Sequence, residues 1–427
     1  MAEAGRARAG RVRLPRAPRR RAGATAALTD RRRRVATVAG GGAAALLALA
    51  GSATWYYAER ITEPPHRRPP TPLPQDAVEV LARRGDHVVL RGPQAARPGW
   101  WGIDLPRGYL RVGPPVTPAG REGEAGPDDA VARPVELAAG AVAPGEVGRF
   151  DADAVPDDPG VLGLPVEEVV VQGPLGGMPA WWFPTDDPAA TACVLVHGRS
   201  GSRREGLRWV PTLIAAGVPT LVVSYRNDRE APPSPDGRSH LGATEWEDVA
   251  AGLRFVLDRQ AAAGSGRDPE ALLFGISMGG ACAAELLARS DLARHVRGLV
   301  LDAPVRHWGP VLRAAAAQRG LPPAVLPVLL PPTMALAGAR GRIDWRGLDH
   351  LDDPARFSLP TLLFHGDADL TVPVALSDAF AQRRRDVVTY VRVPGAGHVR
   401  TWNTDRAGCE AALAAYLGEV TGAGARR

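Results

Sequence analysis

Three side chains that lie far apart in the chain have the types needed for nucleophilic catalysis: Ser277, Asp369 and His398. A serine hydroxyl is a weak nucleophile until a neighbouring base takes its proton. A histidine can do so near neutral pH, and a carboxylate can orient its ring and stabilise the imidazolium that forms. The chain order serine, acid, histidine is one of the orders in which such triads occur. These residue types in this order predict a centre for acyl transfer.

The serine lies at the middle of a G-x-S-x-G motif, Gly275-Ile276-Ser277-Met278-Gly279. The apolar run before this motif predicts a buried strand, and the small residues after it predict a helix. The two glycines let the strand and the helix approach closely, while the sharp turn holds the serine in a strained conformation with its hydroxyl projecting. The chain has 49 glycines, so a chance occurrence is the alternative, and the strand and helix on either side argue against it.

The predicted partners of the serine lie in two loops that follow predicted strands. Reactive groups in a parallel sheet collect at the carboxyl ends of its strands. His398 lies on a glycine-rich loop and is the predicted base; a structural histidine is the alternative. Asp369 is the predicted acid. Asp367 in the same loop and Asp302 after another strand are the alternatives, although Asp367 would suit a turn cap and Asp302 a bond to loop backbone.

Two backbone N–H groups are predicted to hold the developing oxyanion. One belongs to Met278, the residue after the nucleophile, and the other to Arg199 in the glycine-rich loop that follows the first central strand. An ordinary exposed loop arginine is the alternative for Arg199. His197, two positions earlier, is expected to support this loop rather than to transfer a proton.

Neither the cysteines nor the proposed chemistry points to a cofactor. The three cysteines, Cys193, Cys282 and Cys409, are far apart and have no metal-type spacing. Their odd number argues against a disulfide framework, so we expect small buried apolar side chains, with a bridge between two of them left open. A serine–histidine–aspartate centre needs no metal and no organic cofactor, and the sequence predicts none.

The positive charge of the chain is concentrated at its N-terminus. The formal net charge of the 427 residues is +6, but residues 1–34 alone carry twelve arginines against two acidic residues. The remaining residues therefore have a net negative charge. The basic character belongs to a tail of disordered composition, so it does not indicate a nucleic-acid-binding protein.

Residues 35–58 contain no charged side chain and are numerous enough to cross a hydrocarbon core of about 30 Å as a helix. The Arg31–Arg34 cluster would stay in the cytoplasm, and Trp55–Tyr57 would lie at the far interface. The pattern predicts a single transmembrane signal-anchor helix with the C-terminal body outside the cytoplasm. A signal peptide cleaved near Gly51–Ala53 and a soluble helix are the alternatives.

The rest of the chain divides into three predicted segments. Residues 59–77 form a proline-rich linker, and residues 78–161 have short alternating runs broken by glycine and proline, which predict a small β-rich subdomain. Residues 162–427 alternate strands with helices, which predicts an α/β domain with a mostly parallel central sheet and helices on both faces. Residues 304–353 are less regular and rich in proline and alanine, which suits a small lid.

Four motifs together resemble the α/β-hydrolase superfamily over residues 162–417: His197-Gly198, Gly275–Gly280, Gly366–Pro373 and Gly397-His398. Three further stretches are similar to a group of membrane-anchored actinobacterial hydrolases: Ser224–Asp228, Gly242–Trp246 and His398–Asn403. The resemblance implies the α/β-hydrolase fold and a range of activities that includes esterases, lipases, thioesterases and serine peptidases. It does not select one substrate.

The prediction is therefore a serine hydrolase that cleaves carboxylic esters of a small-molecule or lipid-like acyl substrate through an acyl-enzyme. A prolyl-oligopeptidase-like peptidase is the alternative enzyme, because the motif that ends in Gly279-Gly280 also resembles that group. The alternative outside catalysis is a binding or scaffold protein on a hydrolase fold. No nucleic-acid partner is expected.

Overall fold

A computed structural model describes residues 30–31, 48–64, 77–116, 130–350 and 357–422. The chain divides into two units, residues 1–56 and residues 57–427. In the part of the chain that is described, no helix is long and apolar enough to span a membrane. Several predicted segments lie wholly or partly outside it: most of the tail 1–34, residues 35–47 of the span, residues 65–76 of the linker and the C-terminal residues 423–427.

Residues 48–62 are helical, and the second unit begins with the last turns of this helix, residues 57–62, here called α1. Ala58 is 1% exposed and belongs to the main hydrophobic core, and Thr62 is fully buried. The sequence predicted that the membrane span would end at Ala58 and that an extended linker would follow. The structure instead packs the end of that span and the start of that linker against the body, because this helix turn has an apolar face.

An antiparallel barrel closes over residues 77–151. Its strands are β1 (Ala77–Arg84), β2 (His87–Arg91), β3 (Trp101–Leu105), β4 (Gly108–Val112), β5 (Ala130–Gly140) and β6 (Val147–Asp151). They follow the order β1-β2-β5-β4-β3-β6, and β6 pairs back with β1. Alternate residues such as Val78, Val80, Val88 and Leu90 point into a core of its own. Closure leaves this small sheet without an exposed edge.

The main sheet has eight strands in the order β14-β13-β12-β11-β9-β10-β8-β7. These strands are β7 (Glu167–Gly173), β8 (Gly176–Phe183), β9 (Ala192–Val196), β10 (Thr220–Val223), β11 (Ala271–Ile276), β12 (Val296–Asp302), β13 (Thr361–Gly366) and β14 (Val388–Val393). The six strands from β9 to β14 pair in parallel, whereas β7 and β8 are antiparallel. The predicted sheet is therefore present, with β11 near its middle.

Helices cover both faces of this sheet. They are α2 (Val210–Ala215), α3 (Trp246–Ala262), α4 (Met278–Arg289), α5 (Trp308–Gln318), α6 (Leu326–Gly341), α7 (Ala375–Arg383), α8 (Thr401–Thr404) and α9 (Arg406–Thr421). Alternate residues of β11 enter opposite core layers, Leu273 on the side of α3 and α4, and Leu272 and Phe274 on the side of α2 and α9. Burial on both faces explains why this strand is a continuous apolar run.

The segment between β12 and β13 is more regular than predicted. The sequence predicted an irregular, proline-rich stretch over residues 304–353, and the structure places two helices there, α5 and α6. Helix α6 even contains Pro331 and Pro332 in its interior. Tertiary packing of its apolar face has outweighed the weak intrinsic helix preference of these prolines.

Candidate active site

The turn between β11 and α4 holds Ser277 in a strained backbone conformation, with φ of 50° and ψ of −111°. A positive φ at a residue with a side chain costs about 1–3 kcal/mol and persists only when its surroundings impose it. Here the N–H of Ser277 donates to the Asp302 carbonyl at 2.9 Å, and its carbonyl accepts from Val305 N–H at 3.0 Å. Both bonds join the turn to the end of β12, so the neighbouring strand fixes the serine.

The two glycines of the motif are required by close contacts. A Cβ on Gly275 would lie 2.6 Å from the nitrogen of Gly280, and a Cβ on Gly279 would lie 2.3 Å from the carbonyl oxygen of Val196. Real Cβ atoms do not approach backbone atoms so closely, and backbone in a central strand cannot move aside without breaking the sheet. The glycines therefore let α4 begin directly against β9.

We expect Gly279→Ala to lower the free energy of unfolding by about 3 kcal/mol, because the new methyl group overpacks a buried site. Gly418→Ala in α9 is the matched control, since nothing lies within 4 Å of a Cβ there. This control should raise the free energy of unfolding by about 0.5–1 kcal/mol through helix propensity. Urea denaturation of both variants measures the difference, and equal effects would contradict the proposed contact.

The structure brings the three predicted side chains into one hydrogen-bonded row. Ser277 Oγ lies 2.9 Å from His398 Nε2, and His398 Nδ1 lies 2.7 Å from Asp369 Oδ2. The Asp369 carboxylate is fully buried, while the His398 side chain remains 23% exposed. The row therefore runs from the interior to a ring and a hydroxyl that a small molecule can approach.

The environment of Asp369 favours its ionised form. Burial alone would raise the pKa of this carboxyl group, but hydrogen bonds from His365, His398 and the Val372 N–H outweigh burial and hold the pKa well below its usual range. The N–H groups of Thr371 and Val372 donate to Oδ1 at 2.7 and 2.9 Å. Oδ2 thus remains available to the histidine ring, and the carboxylate carries a full negative charge at neutral pH.

The two alternative acids occupy other positions. Asp367 accepts a hydrogen bond from Gly395 N–H at 2.7 Å, which joins the two loops that carry the acid and the base. Asp302 is fully buried, and its Oδ1 accepts from the Thr401 hydroxyl at 3.0 Å. Burial raises the pKa of Asp302 despite the nearby Arg208 guanidinium. Neither carboxyl group has a hydrogen bond to His398 in the described part of the chain.

The loop after β9 lies directly beside the serine. A Cβ on Gly198 would lie 3.1 Å from Ser277 Cβ, so only a glycine allows this approach without a shift. The N–H of Gly198 donates to Glu205 at 2.6 Å and is occupied. Arg199 is the next residue, and Met278 is the first residue of α4, where N–H groups have no partner within the helix. Oxyanion binding by Arg199 and Met278 remains a prediction.

His197 supports this loop, as the sequence predicts, through a polar network whose other members the sequence did not reveal. His197 is fully buried; its Nε2 lies 2.8 Å from Asp228, and its ring stacks on Tyr225 with centroids 4.3 Å apart. The Tyr225 hydroxyl donates to the Gly198 carbonyl at 2.9 Å. Burial would lower the pKa of His197, but the Asp228 carboxylate outweighs it and raises this pKa. The network supports the loop and does not reach the serine hydroxyl.

A buried ion pair joins the stretch Ser224–Asp228 to helix α3. Arg226 and Asp248 are 4% and 1% exposed, and Arg226 donates to both carboxylate oxygens at 2.7 and 2.9 Å. Burial would lower the pKa of Arg226, but its bonds to Asp248 outweigh burial and raise it. Glu245, also buried, accepts from the N–H groups of His240 and Gly242. These contacts fix the β10–α3 connection.

The barrel contacts the segment that follows the predicted base. The side-chain amide of Asn403 donates to the carbonyls of Trp100 and Ala152 at 2.8 and 3.0 Å, and the Asn403 carbonyl accepts from Trp100 N–H. Since Asn403 lies five residues after His398, the barrel supports the histidine loop from outside. No barrel residue enters the triad.

The cysteines take no part in the site. Cys193, Cys282 and Cys409 are all free and buried, as predicted for small apolar residues. Burial raises the pKa of each thiol. Within the described residues, no group of histidine, cysteine and acidic side chains has the arrangement of a metal site.

The sequence of residues 193–412 matches the model of the Alpha/beta hydrolase family. This match covers more than half of the chain and includes the serine, the acid and the histidine. A comparison with curated proteins finds no match.

Solved structures with a similar fold include three esterases. Esterase Pf2001 from Pyrococcus furiosus has 20% identity and a TM-score of 0.49, covering 62% of this chain and 96% of that one. A thermophilic esterase from Thermogutta terrifontis has 20% identity and a TM-score of 0.42, with coverages of 60% and 99%. Esterase RhEst1 from Rhodococcus sp. ECU1013 has 19% identity and a TM-score of 0.40, also with coverages of 60% and 99%.

Proposed function

Since the chain belongs to the alpha/beta hydrolase family, we propose that it is a serine hydrolase that cleaves carboxylic esters through a Ser277–His398–Asp369 triad. The observation that carries the proposal is the hydrogen-bonded row of these side chains, with contacts of 2.9 and 2.7 Å. Such contacts are within the range required for proton transfer between a nucleophile and its base. The substrate is a small-molecule or lipid-like acyl compound.

Each side chain has one task in this mechanism. A neutral His398 with its proton on Nδ1 donates to Asp369 and leaves the lone pair of Nε2 facing Ser277 Oγ. As Oγ attacks the acyl carbon, Nε2 takes the hydroxyl proton, and the carboxylate stabilises the imidazolium. The same proton then passes to the leaving alcohol, and an acyl-serine ester remains. Water, activated in turn by Nε2, attacks this ester and releases the acid.

The negative charge of the tetrahedral intermediate forms on the acyl oxygen. In this proposal the N–H groups of Met278 and Arg199 bind that oxygen, and the N-terminus of α4 adds its positive end. Loss of one such donor typically costs about 3 kcal/mol of transition-state stabilisation. The strained turn at Ser277 supports this role, because it places the nucleophile immediately before the first N–H of α4.

The experiment that tests the proposed function is covalent labelling with a fluorophosphonate probe, which reacts with activated serines. The adduct should form on the folded protein and map to the peptide that contains Ser277. Heat-unfolded protein is the control and should remain unlabelled, because the unfolded serine has no base. Absence of an adduct on well-folded protein would favour a scaffold over an enzyme.

We propose in addition that a span within residues 35–58 anchors the protein in the cell membrane, with the hydrolase outside the cytoplasm. The support is the uncharged run itself and the four arginines that precede it. Protease added to intact cells should digest the hydrolase domain, while a cytosolic marker protein stays intact. Full protection of the domain until the cells are lysed would contradict this topology.

A further inference from the structure

The first helix of the second unit lies outside the region that matches the family, yet ion pairs hold it against the body. Glu59 pairs with Arg238 at 2.9 Å and with Arg340 at 2.8 Å. Arg238 also donates to the Thr62 hydroxyl at 2.7 Å. Arg340 belongs to α6, so these contacts tie α1 to one of the two helices inserted after β12.

A third arginine joins α1 to the loop beside the nucleophile. Arg199 Nη2 donates to the carbonyls of Ile61 and Glu63 at 2.7 and 3.1 Å. A guanidinium at the C-terminal end of a helix is favourable, because the last carbonyls there have no partner within the helix. Arg199 follows Gly198, which lies against Ser277. Two residues, Arg199 and Gly198, therefore connect the end of α1 to the nucleophile Ser277.

A cavity of about 100 Å³ opens at this junction. Its apolar lining comes mostly from α1, α5 and α6 and includes Ile61, Leu312, Ala316, Leu326, Leu329 and Leu330. Among the described residues, no acidic side chain lines it. The guanidinium groups at its rim are engaged: Arg60 pairs with Glu63, and Arg319 donates to the Ala315 carbonyl. A largely apolar cavity of this order of size suits a hydrocarbon group.

Hydrogen bonds at the two ends of α5 connect this cavity-lining helix to both ends of the triad. Val305, just before α5, donates its N–H to the carbonyl of Ser277. At the other end of α5, the Gln318 side chain donates to the carbonyl of Leu370, next to Asp369. Together with Arg199, these contacts place the cavity along the active-site edge of the sheet.

We propose that this cavity holds the aliphatic acyl chain of the substrate and that residues 57–61 form one of its walls. A segment that precedes the family region then helps to decide which acyl chains are accepted. This inference rests on the proposed ester hydrolysis. The occupant follows from the lining, since leucine and isoleucine side chains gain from hydrocarbon contact and offer no hydrogen bond to a polar chain.

The test compares p-nitrophenyl acetate, which is too short to fill the cavity, with p-nitrophenyl hexanoate. In the full chain, Leu329→Trp should lower the ratio of kcat/KM for hexanoate to kcat/KM for acetate about 10- to 100-fold, because the indole fills the cavity. Val328→Trp is the matched control on the same helix, since Val328 is 73% exposed and does not line the cavity. Ile61→Ala enlarges the cavity from the α1 side and should raise kcat/KM for p-nitrophenyl decanoate.

The outcomes separate the two proposals. If the wild type and the three variants all hydrolyse acetate and share the same ratio of hexanoate to acetate activity, the proposed acyl cavity is wrong. The proposed hydrolase activity is still supported in that case. If Leu329→Trp alone loses hexanoate but Ile61→Ala leaves the profile unchanged, the wall formed by α1 is wrong. If the wild type neither hydrolyses acetate nor reacts with the fluorophosphonate, the proposed function itself fails.

Discussion

Replacing Ser277 with alanine is expected to lower ester hydrolysis about 10⁶-fold and to abolish fluorophosphonate labelling. The variant keeps the binding site and the oxyanion donors but has no oxygen that can attack an acyl carbon. His398 then has no proton to accept, so the base and its aspartate contribute nothing to the rate. Steady-state kinetics with p-nitrophenyl acetate and mass spectrometry of the probe-treated protein measure the two effects.

A second buried serine provides the control. Ser224 is 4% exposed, and its hydroxyl donates to the carbonyl of Pro179 at 2.5 Å. Ser224→Ala therefore removes a hydroxyl from a comparable environment and should cost about 1 kcal/mol of stability while retaining turnover and labelling. Turnover by Ser277→Ala at the wild-type rate would show that another group is the nucleophile.

The parts of the site that could be predicted from the sequence are local in the chain. Gly275 and Gly279 lie two residues from Ser277, so the turn and its strain follow from a short motif. The elements around it were predictable for the same reason, since a run of buried residues followed by small helical ones is visible in a short window. The positions of Asp369 and His398 followed from a rule about strand ends in parallel sheets.

The parts that could not be predicted depend on contacts between distant residues. Arg226 and Asp248 look like surface charges in the sequence, and only the fold shows that both are buried. Asn403 contacts Trp100, 303 positions earlier, and no periodicity connects the two. The packing of α1 was missed for a similar reason: the residues up to Ala58 continue an uncharged run, and Arg238 and Arg340, the ion-pair partners of Glu59, lie far along the chain.

Replacing Asp369 with asparagine is expected to lower kcat for ester hydrolysis about 10⁴-fold. The carboxylate accepts the Nδ1–H of His398 at 2.7 Å, and this contact fixes the tautomer whose Nε2 can take the serine proton. An amide that presents N–H to the ring favours the other tautomer, in which Nε2 is already protonated. This loss corresponds to about 5.5 kcal/mol of transition-state stabilisation. Kinetics at saturating p-nitrophenyl acetate measure it, with circular dichroism as the check on folding.

Asp302→Asn is the matched substitution, because Asp302 is also buried and lies at the end of β12, beside β11. Its Oδ1 accepts from the Thr401 hydroxyl at 3.0 Å, and an amide oxygen can accept the same hydrogen bond. Because burial raises the pKa of Asp302, a neutral amide also suits this position, so we expect kcat to stay within about tenfold of the wild type. If Asp302→Asn instead loses turnover while Asp369→Asn stays active, the triad acid is Asp302, and the hydrogen bond between His398 and Asp369 serves only to hold the loop.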